Sequence, residues 1–245
     1  MLKALAAVAL GTALCSAQTK EVDRTLNLDP HGTVIIDSLR GSVHITTWDR
    51  ADVEIKARVE AAGSSSEDMR RFRLANVGID SSANSVHIRT EVPTNCCGND
   101  SGRNPDVHYA VRVPRTARLR IHDHASHIEI EDLSGPLELD THRGTARIQQ
   151  LAGPLDLVTH RGDADIDFAA FQGPSRVETH RGKIELRLPR DSRFDLESTV
   201  DRKASLHSSF SMLATVGRRI QGTVNGGGPR LELVAEKGNI NLRAK

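Results

Sequence analysis

GPLELDTHRGTARI (135–148), GPLDLVTHRGDADI (153–166) and GPSRVETHRGKIEL (173–186) are three copies of one unit. Each Gly-Pro is followed at a fixed distance by Thr-His-Arg-Gly. The histidines are His142, His160 and His180, in steps of 18 and 20 residues. An internal repeat this short decides the architecture before any other feature. Within a copy the apolar residues alternate with polar ones: Leu137, Leu139, then Ala146, Ile148; Leu155, Leu157, then Ala164, Ile166; Val177, then Ile184, Leu186. Alternation with period two argues for short strands with one buried face. Gly144, Gly162 and Gly182 separate the two runs of each copy, where a turn is expected to need positive φ. Proline lacks an N–H and suits a corner or the first residue of a strand. The unit therefore reads as strand, tight turn, strand and Gly-Pro corner.

One such coil cannot bury its own apolar face, but stacked coils share a continuous core. Equivalent positions then line up about 4.8 Å apart. The expected core includes Leu137, Leu139, Ile148, Leu155, Leu157, Ile166, Val177, Ile184 and Leu186. Three more stretches fit a relaxed version of the pattern: Leu39-Arg-Gly-Ser-Val-His-Ile, His124-Ala-Ser-His-Ile-Glu-Ile and Glu236-Lys-Gly-Asn-Ile-Asn-Leu. Gly41, Ser126 and Gly238 occupy the glycine slot. The glycine turn thus spans the chain, whereas the histidine is confined to the middle.

The first 17 residues carry Lys3, an apolar run from Ala4 to Leu14, and Cys15-Ser16-Ala17 as a small-residue cleavage site. This is the pattern of a secretory signal peptide, with a mature start near Gln18. The run is short for a bilayer span, so no transmembrane segment is expected once it is removed. Cys15 as a lipid anchor is disfavoured, because Leu14 stands where a lipoprotein signal needs a small residue. The expected location is periplasmic, secreted or at the cell surface.

With Lys3 removed, the chain's 33 basic and 32 acidic side chains balance. Bulk charge therefore points to neither nucleic acid nor membrane, and electrostatic binding has to come from a local patch. Aromatic residues make up 3%, too few for a surface that grips sugars by stacking.

Residues 22–60 read as strands. Ser64-Ser-Ser-Glu67 can form a capping box, opening one short flanking helix to about Ala75 with Met69, Phe72 and Leu74 as a partial apolar face. Residues 93–106 form a turn-rich loop and are the best candidate for a subdomain boundary in an otherwise single domain, 18–245. Cys96 and Cys97 lie in that loop. Adjacent α-carbons are about 3.8 Å apart, below the usual disulfide range of about 4.4–6.8 Å, so a vicinal disulfide would be strained. Free thiols or a bridge between chains are the alternatives.

Leu39-Arg-Gly-Ser-Val-His-Ile leading to Trp48-Asp49, and Gly226-Gly-Gly-Pro-Arg-Leu-Glu-Leu leading to Lys237-Gly-Asn-Ile-Asn-Leu, together resemble the bacterial putative-adhesin family. That family is a domain of unknown function common in exported envelope proteins. The resemblance covers about 25–245 and implies a right-handed β-solenoid. It carries no catalytic residues to transfer, and the Thr-His-Arg-Gly turn looks particular to this sequence.

If the alternation holds, Thr141 faces inward and His142 outward. His124, His142, His160 and His180 then form an exposed stripe, with Arg143, Arg161 and Arg181 beside it. Arginine forks suit phosphate, sulfate or carboxylate, so an anionic envelope polysaccharide is the leading partner, with another envelope protein as alternative. The bland reading is that duplication simply copied the turn residues; arginines about 5 Å apart in water repel by only about 0.8 kcal/mol per pair. A second functional reading is zinc. His122, His124, Asp140 and His142 make a two-by-two patch of suitable ligand types. A third is a polysaccharide-active β-helix enzyme, an analogy at fold level only. The chain has no Gly-x-Ser-x-Gly, His-Glu-x-x-His or phosphate loop. The leading expectation is a non-enzymatic exported interaction module without a cofactor.

Overall fold

The structure is a computed structural model describing residues 19–92, 102–211, 215–216 and 219–245. The signal segment with Cys15, and the pair Cys96 and Cys97, lie outside the described residues. The chain runs β1 (Thr19–Asn27), β2 (Thr33–Trp48), β3 (Asp52–Glu60), α1 (Ser66–Leu74), β4 (Asn76–Ser81), β5 (Ser85–Glu91), β6 (Asp106–Pro114) and β7 (Arg118–Glu131). The repeats supply β8 (Leu137–Thr141), β9 (Thr145–Leu151), β10 (Leu155–Thr159), β11 (Ala164–Phe168), β12 (Ser175–Thr179) and β13 (Lys183–Leu188). The chain ends with β14 (Phe194–Val200), β15 (Ser205–Ser208), β16 (Thr215–Val216), β17 (Arg219–Val224), β18 (Arg230–Ala235) and β19 (Asn239–Ala244).

The fold is mostly β and solenoid-like, built from two runs of parallel strands. The first halves of β2 and β7 are followed by β8, β10, β12 and β18. The second halves of β2 and β7 are followed by β9, β11, β13 and β19. Apolar residues stack in register along each run. Ile121, Leu139, Leu157, Val177 and Leu233 form one column. Ile130, Ile148, Ile166, Leu186 and Leu242 form the other. None of these ten is more than 1% exposed. All nine core residues expected from the repeat are buried. A leucine removed from such a column leaves a cavity costing about 2–5 kcal/mol.

Two excursions interrupt the winding. Residues 49–117 leave the stack and return, so that β2 pairs directly with β7. They add β6 and β3 beyond the second half of β2, where β1 pairs with β3 at the edge, and β5 with β4 beyond the first. Residues 189–229 do the same near the other end, where β12 and β13 pair with β18 and β19. There β14 lies parallel to β18 and antiparallel to β17, and β15 lies parallel to β19.

Helix α1 begins one residue later than the capping box suggests. Ser65 is the N-cap and its hydroxyl accepts from Asp68 N–H at 3.0 Å. Phe72 is buried, whereas Leu74 is 45% exposed and does not join the apolar face. Lys20 closes the other end: its ammonium donates to the carbonyls of Phe72, Arg73 and Ala75 at 2.8, 2.8 and 2.9 Å, satisfying carbonyls that have no partner within the helix.

The turn glycines need correction. Gly41 and Gly182 have positive φ, 124° and 142°, but Gly144 and Gly162 do not. Their common requirement is close approach. A Cβ on Gly162 would lie 1.8 Å from the carbonyl oxygen of Gly144, and one on Gly182 would lie 2.0 Å from that of Gly162. Turns stacked at strand spacing leave no room for a side chain at this slot.

Candidate functional site

The turn between the two runs of strands is where the histidines and arginines meet. Thr141, Thr159 and Thr179 end their strands facing inward and are 2%, 1% and 0% exposed. Thr141 Oγ1 donates to Asp123 Oδ2 at 2.9 Å and accepts from Gly144 N–H at 3.0 Å. Asp123 fills the threonine slot one coil earlier, where its carboxylate accepts from Ser126 N–H. A short polar side chain at the strand end thus closes the first two turns from inside, as serine, threonine and aspartate commonly do, and Thr159 Oγ1 donates to Gly162 O at 3.3 Å. Ser126, in the glycine slot, reaches Ser38 Oγ at 2.8 Å.

The turns are also bonded to one another. His142 N–H donates to Asp123 O, Arg143 N–H to His124 O, His160 N–H to Thr141 O and Arg161 N–H to His142 O, all at 2.9–3.0 Å. The same ladder continues through His180 N–H to Thr159 O, Glu236 N–H to Thr179 O and Lys237 N–H to His180 O, at 3.0–3.1 Å. Side chains in equivalent slots are therefore held in columns by backbone, rather than by contacts of their own.

The histidine column forms as the repeat predicts. Ring centroids of His124, His142, His160 and His180 are 5.1, 5.3 and 4.9 Å apart in sequence, and the first and last pairs are within 7° of parallel. His124 is exposed and the other three are half-buried. Burial holds the His142 ring below the usual histidine range, helped by repulsion from His124, His160, Arg143 and Arg161. Beyond His180 the slot passes to Glu236, whose carboxylate lies 2.8 Å from His180 Nδ1.

The arginine column is Arg143, Arg161 and Arg181, all exposed. Among the described residues none of the three makes an ion pair or a side-chain hydrogen bond. Asp163, the nearest carboxylate in sequence, is occupied by Lys183 N–H at 2.7 Å. Arginines on the strand faces behave differently. Arg176 bonds Glu178 and Glu232, Arg187 bonds Asp165, Arg230 bonds Glu197 and Arg243 lies 3.3 Å from Glu185. These four strand-face arginines are paired, while the three turn arginines are left to solvent.

Sequence reasoning missed two members of these columns. Glu236 sits in the histidine slot and Lys237 in the arginine slot of the last coil. The signal was available, because Glu236-Lys-Gly238 precedes the final strand as His-Arg-Gly precedes the others. Lys237 is exposed and has no ion-pair partner among the described residues.

The zinc patch does not assemble. His122 and Asp140 are register partners, and they share a shallow depression with His124 and His142. Among the described residues, however, no three His, Cys, Asp or Glu side chains are placed to hold a metal. In-register stacking explains this: parallel rings 5.1 Å apart aim their nitrogens side by side, not at a common point. No described helix is long and apolar enough to cross a membrane.

No curated protein matches the chain. Among solved structures, a putative cell adhesion protein from Clostridium sporogenes aligns with a TM-score of 0.54 at 12% identity, over 92% of this chain and 100% of that one. A putative adhesin from Bacteroides fragilis aligns over 92% and 97% of the two chains at 13% identity, with a TM-score of 0.34. The first likeness shows a shared fold. Residues 30–243, nearly the whole of the described stack, match the Toastrack DUF4097 family, and the chain belongs to that family.

Proposed function

We propose that this protein is a non-enzymatic, exported interaction module that binds an acidic glycan of the cell envelope through the turn column. One observation carries the reading: Arg143, Arg161 and Arg181 are exposed, held in register by the backbone ladder, and unpaired. An unpaired guanidinium fork is free to donate bidentately to a carboxylate or sulfate. A near-neutral chain that stacks three free cations in one column has a local anion surface without net basic charge. The adhesin-like names of its structural relatives accord with a surface role.

Affinity for immobilised heparin tests the reading. Binding should weaken as salt is raised from about 0.05 to 0.5 M, because exposed charges are screened. Arg143→Gln, Arg161→Gln and Arg181→Gln introduced together should abolish most of it. Unchanged binding by the triple variant would remove the turn column from any such role.

A further inference from the structure

Resting on that reading, the structure assigns the column a polymer of defined charge spacing. We propose that Arg143, Arg161, Arg181 and Lys237 are a four-point comb for a linear acidic polysaccharide carrying one anionic group on every sugar, laid along the stacking direction. Each of the four follows the histidine slot of its own coil, and the four coils are consecutive in the stack. Their backbones are therefore spaced by the strand separation of about 4.8 Å, and the comb spans roughly 15 Å. Ring separations of 4.9–5.3 Å in the neighbouring histidine column show that side chains keep this pitch outside the backbone.

The comb begins at Arg143. In the coil before it the slot is held by Ala125, and one coil further Arg40 is tied to Asp106 at 2.6 Å. The adjacent slot is cationic or neutral along His142, His160 and His180, then changes sign at Glu236, which is drawn onto His180. The Lys237 ammonium has no ion-pair partner among the described residues, and the turn after β14 continues the column with exposed Arg202 in the next coil.

A chain with an acid on every sugar can meet all four points. A chain with an acid on every second sugar has twice the charge spacing and can meet only two, either Arg143 with Arg181 or Arg161 with Lys237. Charge count and charge register therefore predict different affinities.

Calorimetric titration with size-defined oligogalacturonides and hyaluronan oligosaccharides separates them. Exposed ion pairs imply about two- to fivefold in affinity for each added uronate. The gain should continue through at least four acids. A hyaluronan fragment with four carboxylates should bind more weakly than the four-acid galacturonide. Lys237→Gln should lower the affinity of the four-acid galacturonide by about two- to fivefold. Equal affinity for the two polymers at equal charge would overturn the comb while leaving anion binding intact. No binding of any galacturonide by the wild-type chain, with heparin still bound, would overturn the comb and point to sulfate. No binding of either would overturn the underlying reading as well.

Discussion

His180 Nδ1 lies 2.8 Å from Glu236 Oε2, so the histidine column ends on a carboxylate contributed by a coil 56 residues further along the chain. The contact exists because residues 189–229 leave the stack and β18 returns to pair with β12. Glu236→Gln removes this contact and should cost up to about 1 kcal/mol, the range of an exposed pair. Urea midpoints of the variant and the wild type check this.

His142 carries a pH signature. Its proton affinity is lowered by partial burial and by flanking cations. The unfolded chain therefore binds a proton at this ring more readily than the folded one. On lowering the pH, folding is opposed from about pH 6.5 downward, and the penalty is complete once the pH is below the folded value. His142→Gln removes this penalty. The variant should lose less stability than the wild type between pH 7.5 and pH 5, measured by urea unfolding. Parallel losses would mean that the ring titrates alike in both states.

The buried threonine column makes a sharper contrast. Thr179 Oγ1 is fully buried and has no hydrogen-bond partner. Replacing it with an isosteric methyl removes an unsatisfied polar atom, so Thr179→Val should be neutral or stabilising. Thr141→Val strips Asp123 and Gly144 of their partner and should cost about 1.5–3 kcal/mol. Thermal denaturation of the two variants side by side reads the difference.

Gly162→Ala should destabilise by about 1–3 kcal/mol or more, because the added Cβ overlaps the Gly144 carbonyl and the two turns have to part. His160→Ala removes a ring that is 41% exposed and should cost under about 1 kcal/mol. Comparable losses in a urea titration would show that ring stacking, not backbone approach, sets the turn spacing.

The architecture was legible where the sequence repeats. Alternation in three near-identical copies placed Leu139, Leu157 and Val177 in one buried column, and the fixed offset put His142, His160 and His180 in another. The glycine slot was found for the right positions and the wrong reason: Gly162 is required by the turn beneath it, not by its own φ. Sequence spacing could not reveal that β12 and β18 are neighbours, because the excursion between them has no periodicity to read. For that reason Glu236 and Lys237 were seen as a turn but not as members of the His and Arg columns. The zinc patch failed on geometry that composition does not carry, since residues in register stack instead of converging.

The central claim is that binding follows the position of the turn cations, not the number of cations. The most direct test compares two triple variants with the same change in net charge. One carries Arg143→Gln, Arg161→Gln and Arg181→Gln. The other carries Arg24→Gln, Arg70→Gln and Arg73→Gln, all exposed and lying on β1 and α1, away from the turn column. Titrated with an oligogalacturonide of six sugars at low salt, the first should lose binding and the second should match the wild type. Equal weakening of both would contradict the account and reduce the column to a by-product of duplicated coils.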